Sequence, residues 1–310
     1  MYPGTHARVT PDKPALIVPA QAGEPEITVT YAELDERSLR LARVLREAGL
    51  GKGDHIAFLS DNRPEAFDIY WAALRSGMYV TGINHHLSPD EAAYIVEDCG
   101  ARALLVSGAK AELAAAVLER TPDVEIRLAF GGEVAGFDDY GRALAAVSAA
   151  PLGDQPRGAD MLYSSGTTGR PKGIKPPLPD REVDEPGDMM LAVFGVYGFD
   201  ADTVYYSPAP VYHAAPLRFG GIVQSLGGTL VMARRFDAEA ALAAIERYQV
   251  THSQWVPTMF VRMLKLPAEV RERYDVSSLK VAVHAAAPCP TDIMSPPCAG
   301  SRHEVLRREW

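Results

Sequence analysis

Over the first hundred positions the apolar residues alternate between two rhythms. Leu34, Leu41, Leu45 and Ala48 recur at helical spacing. They follow Thr30-Tyr-Ala-Glu33, a hydroxyl at a helix N-cap with an acid three residues on. Gly49 and Gly51 supply the stop. Ile56-Ala-Phe-Leu59 reads as a short buried strand. Asn62 is placed to cap a second helix with Pro64 in its first turn. Phe67, Tyr70, Trp71 and Leu74 line that helix, and Gly77 ends it. Met78 to Ile83 is a strand candidate, Ser88-Pro-Asp-Glu91 a further capping box, Gly100 a helix stop, and Ala103-Leu-Leu-Val106 the next strand. This alternation predicts a largely parallel sheet with helices on its faces. Aromatics at helical spacing belong in the core, where such rings bury the most area, rather than around a ligand.

Asp138 to Arg157 is irregular and rich in Ala and Gly, which makes it the expected boundary of a first α/β subdomain, residues 1–157. Residues 158–293 then form a second α/β unit, and residues 294–310 a tail. Lys175 to Asp188 holds four prolines and five acids and reads as an exposed loop without fixed structure. Thr203 to Tyr206 and Val281 to His284 read as strands. Gln249 to Met263, with Val250, Trp255, Val256, Met259, Phe260 and Met263, reads as a strand-to-helix core segment.

Composition narrows the function classes. The net charge of −9 over 310 residues argues against a nucleic-acid partner, which calls for a basic face. Cys99, Cys289 and Cys298 fit no zinc or redox spacing and are expected to be reduced thiols. The N-terminus lacks the apolar core of a signal peptide, and no apolar run is long enough to span a membrane. A cytoplasmic protein is expected.

The densest chemistry lies in Tyr163-Ser-Ser-Gly-Thr-Thr-Gly-Arg-Pro-Lys-Gly173. Gly166 and Gly169 permit tight turns that bring backbone N–H groups to an anion. Ser164, Ser165, Thr167 and Thr168 add hydroxyl donors, and Lys172 adds a mobile positive charge. Clusters of Ser, Thr and Gly are commonly solvated turns. Both glycines, four hydroxyls and a lysine together favour a polyphosphate loop. An ordinary phosphate-loop NTPase is disfavoured, because Arg170-Pro171 separate Gly169 from Lys172 and break the Walker spacing.

This stretch resembles the signature of the adenylate-forming superfamily, which includes acyl-CoA synthetases, luciferases and peptide-synthetase adenylation domains. Tyr206-Ser-Pro-Ala-Pro-Val-Tyr-His-Ala-Ala-Pro216, Thr251-His-Ser-Gln-Trp-Val-Pro-Thr-Met259 and His284-Ala-Ala-Ala-Pro-Cys-Pro290 extend the likeness from about His6 to about Ile293. It is greatest to the bacterial fatty-acyl-CoA synthetases. The resemblance implies two stacked α/β subdomains of the superfamily's N-terminal domain, enclosing a nucleotide, with the β-barrel and C-terminal lid domain missing. It also implies a two-step reaction. A carboxylic acid and ATP, with Mg²⁺, give acyl-AMP, and coenzyme A then gives the thioester.

By that resemblance, Ser164 to Gly169 cradle the β- and γ-phosphates and Lys172 offsets charge on the departing pyrophosphate. Thr167 or Thr168 ligates the metal, Thr167 being the candidate carried forward. Ala286, Ala287 and Pro288 border the adenine and ribose. Tyr212 and His213 border the acyl and thiol channel, and Trp255, Met259 and Phe260 line the acyl pocket. Lys172 and His213 are the catalytic candidates. Amino-acid-activating members carry an Asp near the position of Tyr212-His213. Its absence implies a plain carboxylic acid.

The resemblance stops after about Ile293. Val305-Leu-Arg-Arg-Glu-Trp310 can be encoded by bases that, shifted by one, read Tyr-Tyr-Ala-Gly-Ser-Gly, and fatty-acyl relatives carry a similar segment near this point. A shifted reading frame is therefore expected, as is little or no adenylation by these residues alone. The alternative is a non-catalytic nucleotide-binding or regulatory remnant of the same family.

Overall fold

A computed structural model describes residues 1–164, 170–185 and 195–284. The chain begins with α1 (Pro3–Val9), β1 (Pro14–Val18), β2 (Ile27–Thr30) and α2 (Tyr31–Glu47). There follow β3 (His55–Leu59), α3 (Glu65–Leu74), β4 (Tyr79–Gly82), α4 (Pro89–Asp98), β5 (Ala101–Ser107) and α5 (Ala111–Leu118). Next come β6 (Ile126–Phe130), β7 (Asp138–Asp139), α6 (Tyr140–Ala145), β8 (Ala159–Asp160), β9 (Leu162–Ser164) and β10 (Lys172–Ile174). The described chain ends with β11 (Val204–Ser207), α7 (Ala214–Leu226), β12 (Thr229–Met232), α8 (Ala238–Tyr248), β13 (His252–Trp255), α9 (Pro257–Leu264), α10 (Ala268–Arg271) and β14 (Val281–His284).

Internal contacts divide the chain into two units. Unit one takes Met1–Pro11, Tyr31–Pro186 and Val211–Leu217, and unit two takes Asp12–Thr30, Gly187–Pro210 and Arg218–Trp310. The segment 138–157 is not the irregular boundary expected. It carries β7 and α6, whose first turn Asp139 caps by accepting from the Arg142 N–H, and it lies wholly within unit one.

Unit one is built on a parallel sheet with strand order β7-β6-β5-β3-β4-β8. Every residue of β3 and β4 is buried, as central strands of a doubly covered parallel sheet should be. Leu34, Leu41 and Leu45 of α2 are fully buried, as their spacing requires. Ala48 is exposed instead, because α2 ends at Glu47. There Gly49 turns to φ +86° and the Leu50 N–H bonds back to the Leu45 carbonyl. Phe67, Tyr70 and Trp71 of α3 are core residues. The Ser88 capping box is present in both its bonds.

Two further expectations differ from the fold. Asn62 does not cap α3. Pro64 holds that position, and the Asn62 side chain accepts from the Val211 N–H at 2.8 Å. Residues 175–185 are not a structureless loop. The Arg157 N–H donates to the Arg181 carbonyl at 2.9 Å, the Val183 N–H donates to the Gln155 carbonyl at 2.8 Å, and Val183 is buried. Pro186, Gly187 and Asp188 of that expected loop lie outside the described residues.

Unit two has the sheet order β14-β13-β11-β12-β1-β2. Only β1 and β2 pair antiparallel; the other pairs are parallel. Tyr206, Val231, Ile245, Val250 and Trp255 form the centre of one of its packed clusters. The strands expected at 203–206 and 281–284 occur as β11 and β14. Among the described residues, no helix is long and apolar enough to cross a membrane.

Candidate functional site

β9 and β10 form an antiparallel hairpin that brackets the Ser/Gly/Thr stretch. Lys172 pairs with Ser164, Gly173 with Tyr163 and Ile174 with Leu162. Residues directly opposite in such a pair project to the same face, with Cβ atoms about 5 Å apart. The Ser164 hydroxyl and the Lys172 ammonium therefore share one face, and both residues are exposed. Lys172 makes no ion pair among the described residues. Ser165, Gly166, Thr167, Thr168 and Gly169, between these two ends, lie outside the described residues.

The hairpin is held from beneath. The Tyr163 phenol donates to one carboxylate oxygen of Asp98, and the Tyr94 phenol donates to the other at 3.1 Å. Burial, with the Asp98 bond second, raises the Tyr163 phenol far above its ordinary pKa, so it stays protonated as a donor. The Arg170 guanidinium lies 4.9 Å from the centre of the Tyr94 ring. Further along, Lys175 lies 4.7 Å from the Tyr79 ring centre, and that ring stacks on His55 at 4.5 Å.

A second group of candidates gathers elsewhere in unit one. Tyr212 and His213 occupy the turn before α7, with ring centroids 4.4 Å apart. His85 packs edge-on against Tyr212 at 5.0 Å, and His86 lies 4.4 Å from His85. The turn presses on the end of β4, where a Cβ on Gly82 would stand 2.9 Å from the Tyr212 Cα. The His213 imidazole is lowered below the usual histidine range, first by desolvation and then by the charge of His86. His85 is lowered too, chiefly by burial, while its Nδ1 contacts the Ser60 carbonyl at 3.0 Å. The sequence singles out Asn62 only as a helix cap and gives His85 and His86 no role. The only signal available was two adjacent histidines just beyond a parallel strand's carboxyl end, where ligand sites concentrate.

Trp255, Met259 and Phe260 come together in unit two. The Trp255 ring lies 5.7 Å from Phe260 and 5.6 Å from Tyr206, and its indole N–H donates to the Ser253 hydroxyl at 2.6 Å. Trp255 and Met259 are buried, and Phe260 packs against the same cluster. Ala286, Ala287 and Pro288 lie outside the described residues, directly after β14.

The described residues suit an anionic nucleotide tail. An exposed ammonium without an ion pair among the described residues and an exposed hydroxyl on the same face are donors suited to an anion. For Mg²⁺ there is no cluster of three His, Cys, Asp or Glu side chains among the described residues. The hydroxyl candidate Thr167 lies outside them.

Comparison with known proteins defines the class. The family model described as AMP-binding enzyme matches residues 4–296, so the chain belongs to that family of adenylate-forming enzymes. The chain is 32% identical over 279 residues to a feruloyl-CoA synthase from Amycolatopsis, covering 86% of this chain and 51% of the relative. It is 27% identical over 293 residues to a fatty acid–[acyl-carrier-protein] ligase from Streptomyces coeruleorubidus, covering 91% and 52%. The solved Mycobacterium tuberculosis fatty acyl CoA synthetase superposes with a TM-score of 0.72 at 22% identity, covering 94% of this chain and 55% of that one. The chain thus spans about half the length of the curated relatives it matches. Its α/β architecture is that of the N-terminal domain of these enzymes.

Proposed function

We propose that this chain forms the ATP- and acid-handling half of an acyl-CoA synthetase that activates a fatty or other hydrophobic carboxylic acid. One observation carries the reading. In a member of the AMP-binding family, Ser164 and Lys172 are cross-strand partners at the two ends of a Ser-Gly-Thr-Thr-Gly sequence, with their polar groups on one exposed face.

In the first step, a carboxylate oxygen attacks the α-phosphorus of ATP. A new P–O bond forms, the bond to the β-phosphate oxygen breaks, and pyrophosphate leaves. The protein's task is to neutralise and hold anions rather than to form a covalent intermediate. Lys172 meets the charge gathering on the leaving pyrophosphate, and Ser164, Ser165, Gly166, Thr167, Thr168 and Gly169 hold its oxygens. The Thr167 hydroxyl is the candidate ligand for Mg²⁺, which supplies further charge neutralisation when bound. Ala286, Ala287 and Pro288 border the adenine and ribose. In the second step, the thiol of coenzyme A displaces AMP.

Tyr212 and His213 are assigned to the acid and thiol path, and Trp255, Met259 and Phe260 to the acyl wall. The Tyr212-His213 turn offers no carboxylate to pair an ammonium, which supports a plain acid over an amino acid.

Calorimetry with MgATP on the chain and on Lys172→Ala tests the reading. Binding that falls about tenfold or more on loss of the ammonium is the expected result. No binding by the unaltered chain, or equal binding by both, removes the assignment. Binding without acid-dependent ATP–pyrophosphate exchange fits the second reading, a non-catalytic nucleotide-binding remnant.

A further inference from the structure

We propose that Asp98 is a positioning residue for Lys172, acting through the phenol of Tyr163. What Lys172 does rests on the nucleotide reading above; where it lies does not.

Asp98 ends α4, a helix whose other end the Ser88 capping box fixes. Its two carboxylate oxygens are both taken, one by the Tyr94 hydroxyl and one by the Tyr163 hydroxyl. The Tyr163 ring lies across its hairpin partner Gly173. A Cβ there would stand 2.9 Å from the ring Cζ, 3.0 Å from the phenol oxygen and 2.5 Å from Met161 Cε. No side chain fits between ring and strand, so movement of the phenol is movement of the backbone that carries Lys172. Tyr94 carries the Arg170 guanidinium on its ring. One carboxylate therefore fixes the aromatic supports on both sides of Lys172. Because Asp98 itself is exposed, its bonds are ordinary surface bonds in strength, and the loss of one should be graded rather than total.

Trypsin cutting after Lys172 reads that placement directly, since Arg170 is followed by proline and resists cleavage. The 310-residue chain is compared with Tyr163→Phe, which keeps the ring over Gly173 and removes only the hydroxyl, and with Asp98→Ala and Asp98→Asn. Scission of the Lys172–Gly173 bond is followed by mass spectrometry against a second tryptic site, alongside the melting temperature. Cutting about three- to tenfold faster is expected in Tyr163→Phe, the range for one net hydrogen bond. Asp98→Ala should equal or exceed it, and Asp98→Asn, keeping one acceptor, should fall between that variant and the unaltered chain. The MgATP concentration that halves the cutting rate should rise in the same order, with little change in melting temperature. A purely structural role would not produce that pairing. Unaltered cutting in both Tyr163→Phe and Asp98→Ala overturns the proposal, and if Asp98→Ala fails to fold, Tyr163→Phe and Asp98→Asn decide it. Failure of MgATP to protect the unaltered chain defeats the nucleotide reading alone, while the nucleotide-free rates still judge Asp98.

Discussion

The side-chain oxygen of Asn62 accepts the Val211 backbone N–H at 2.8 Å, tying the turn after β3 to the turn that bears Tyr212 and His213. Asn62 is buried, so the bond is shielded from water. Replacing Asn62 with Ala leaves a buried amide donor without its acceptor, a loss of about 1–3 kcal/mol. Urea unfolding should show that loss, and hydrogen exchange at the Val211 amide should quicken. Unchanged exchange at Val211 would mean that the turn is held by other contacts.

Lys172 should be separable from Arg at the same position. Lys172→Arg keeps the charge but spreads it over a planar fork. MgATP binding should therefore persist in Lys172→Arg, weakened by a few-fold, while Lys172→Ala loses about tenfold or more. Both substitutions lie at an exposed position, so urea midpoints should stay near that of the unaltered chain. Calorimetry beside urea titration distinguishes a binding loss from a folding loss.

The alternating strands and helices of unit one are legible in sequence because local signals and burial agree there. The Ser88 box, the Gly49 and Gly100 stops and the apolar run of β3 each point to the element that forms. Asn62 is misread because an amide that caps a helix and one that clasps a distant N–H look alike in sequence; only the placement of Val211 decides. The strand-like run of 181–183 against 155–157 is invisible for a related reason. Backbone pairing leaves no mark on side chains, and the prolines and acids nearby suggest a solvated loop. Lys172 is legible as chemistry, but its pairing with Ser164 is not, since no alternating pattern announces β9 or β10. His85 and His86 carry no motif of their own, and His85 gains meaning from the Tyr212 ring beside it, with His86 next to His85.

His55 should make the fold acid-sensitive. Burial first, then the Lys175 ammonium, lowers its imidazole to about 4, against the partial opposition of Asp54. The unfolded chain then holds more protons at this residue between about pH 6.5 and 4, so stability falls as pH drops through that window. His55→Phe, which keeps an aromatic stacked on Tyr79, should flatten the loss. The check is urea stability at pH 7 and pH 4.5 for both proteins. An equal drop in each would assign the acid sensitivity to other groups.

Asp68 should act in the opposite sense. It lies buried on α3, with one carboxylate oxygen accepting from the Tyr140 hydroxyl at 3.3 Å and the other without a hydrogen-bond partner among the described residues. Desolvation pushes its pKa up to about 8, with the Arg37 charge opposing and Glu65 adding to the rise. Between the unfolded value near 3.8 and about 8, the native state holds the proton and the unfolded state releases it. Stability from this group is therefore complete below the unfolded value and is lost as pH rises through the folded one, by up to about 1.4 kcal/mol per pH unit. Asp68→Asn has nearly the same shape and cannot ionise, so its stability advantage over the unaltered chain should grow steadily from pH 5 to pH 8. Stability differences measured by urea unfolding at unit pH steps test this. A constant difference would mean that Asp68 keeps an ordinary carboxylate pKa in the fold.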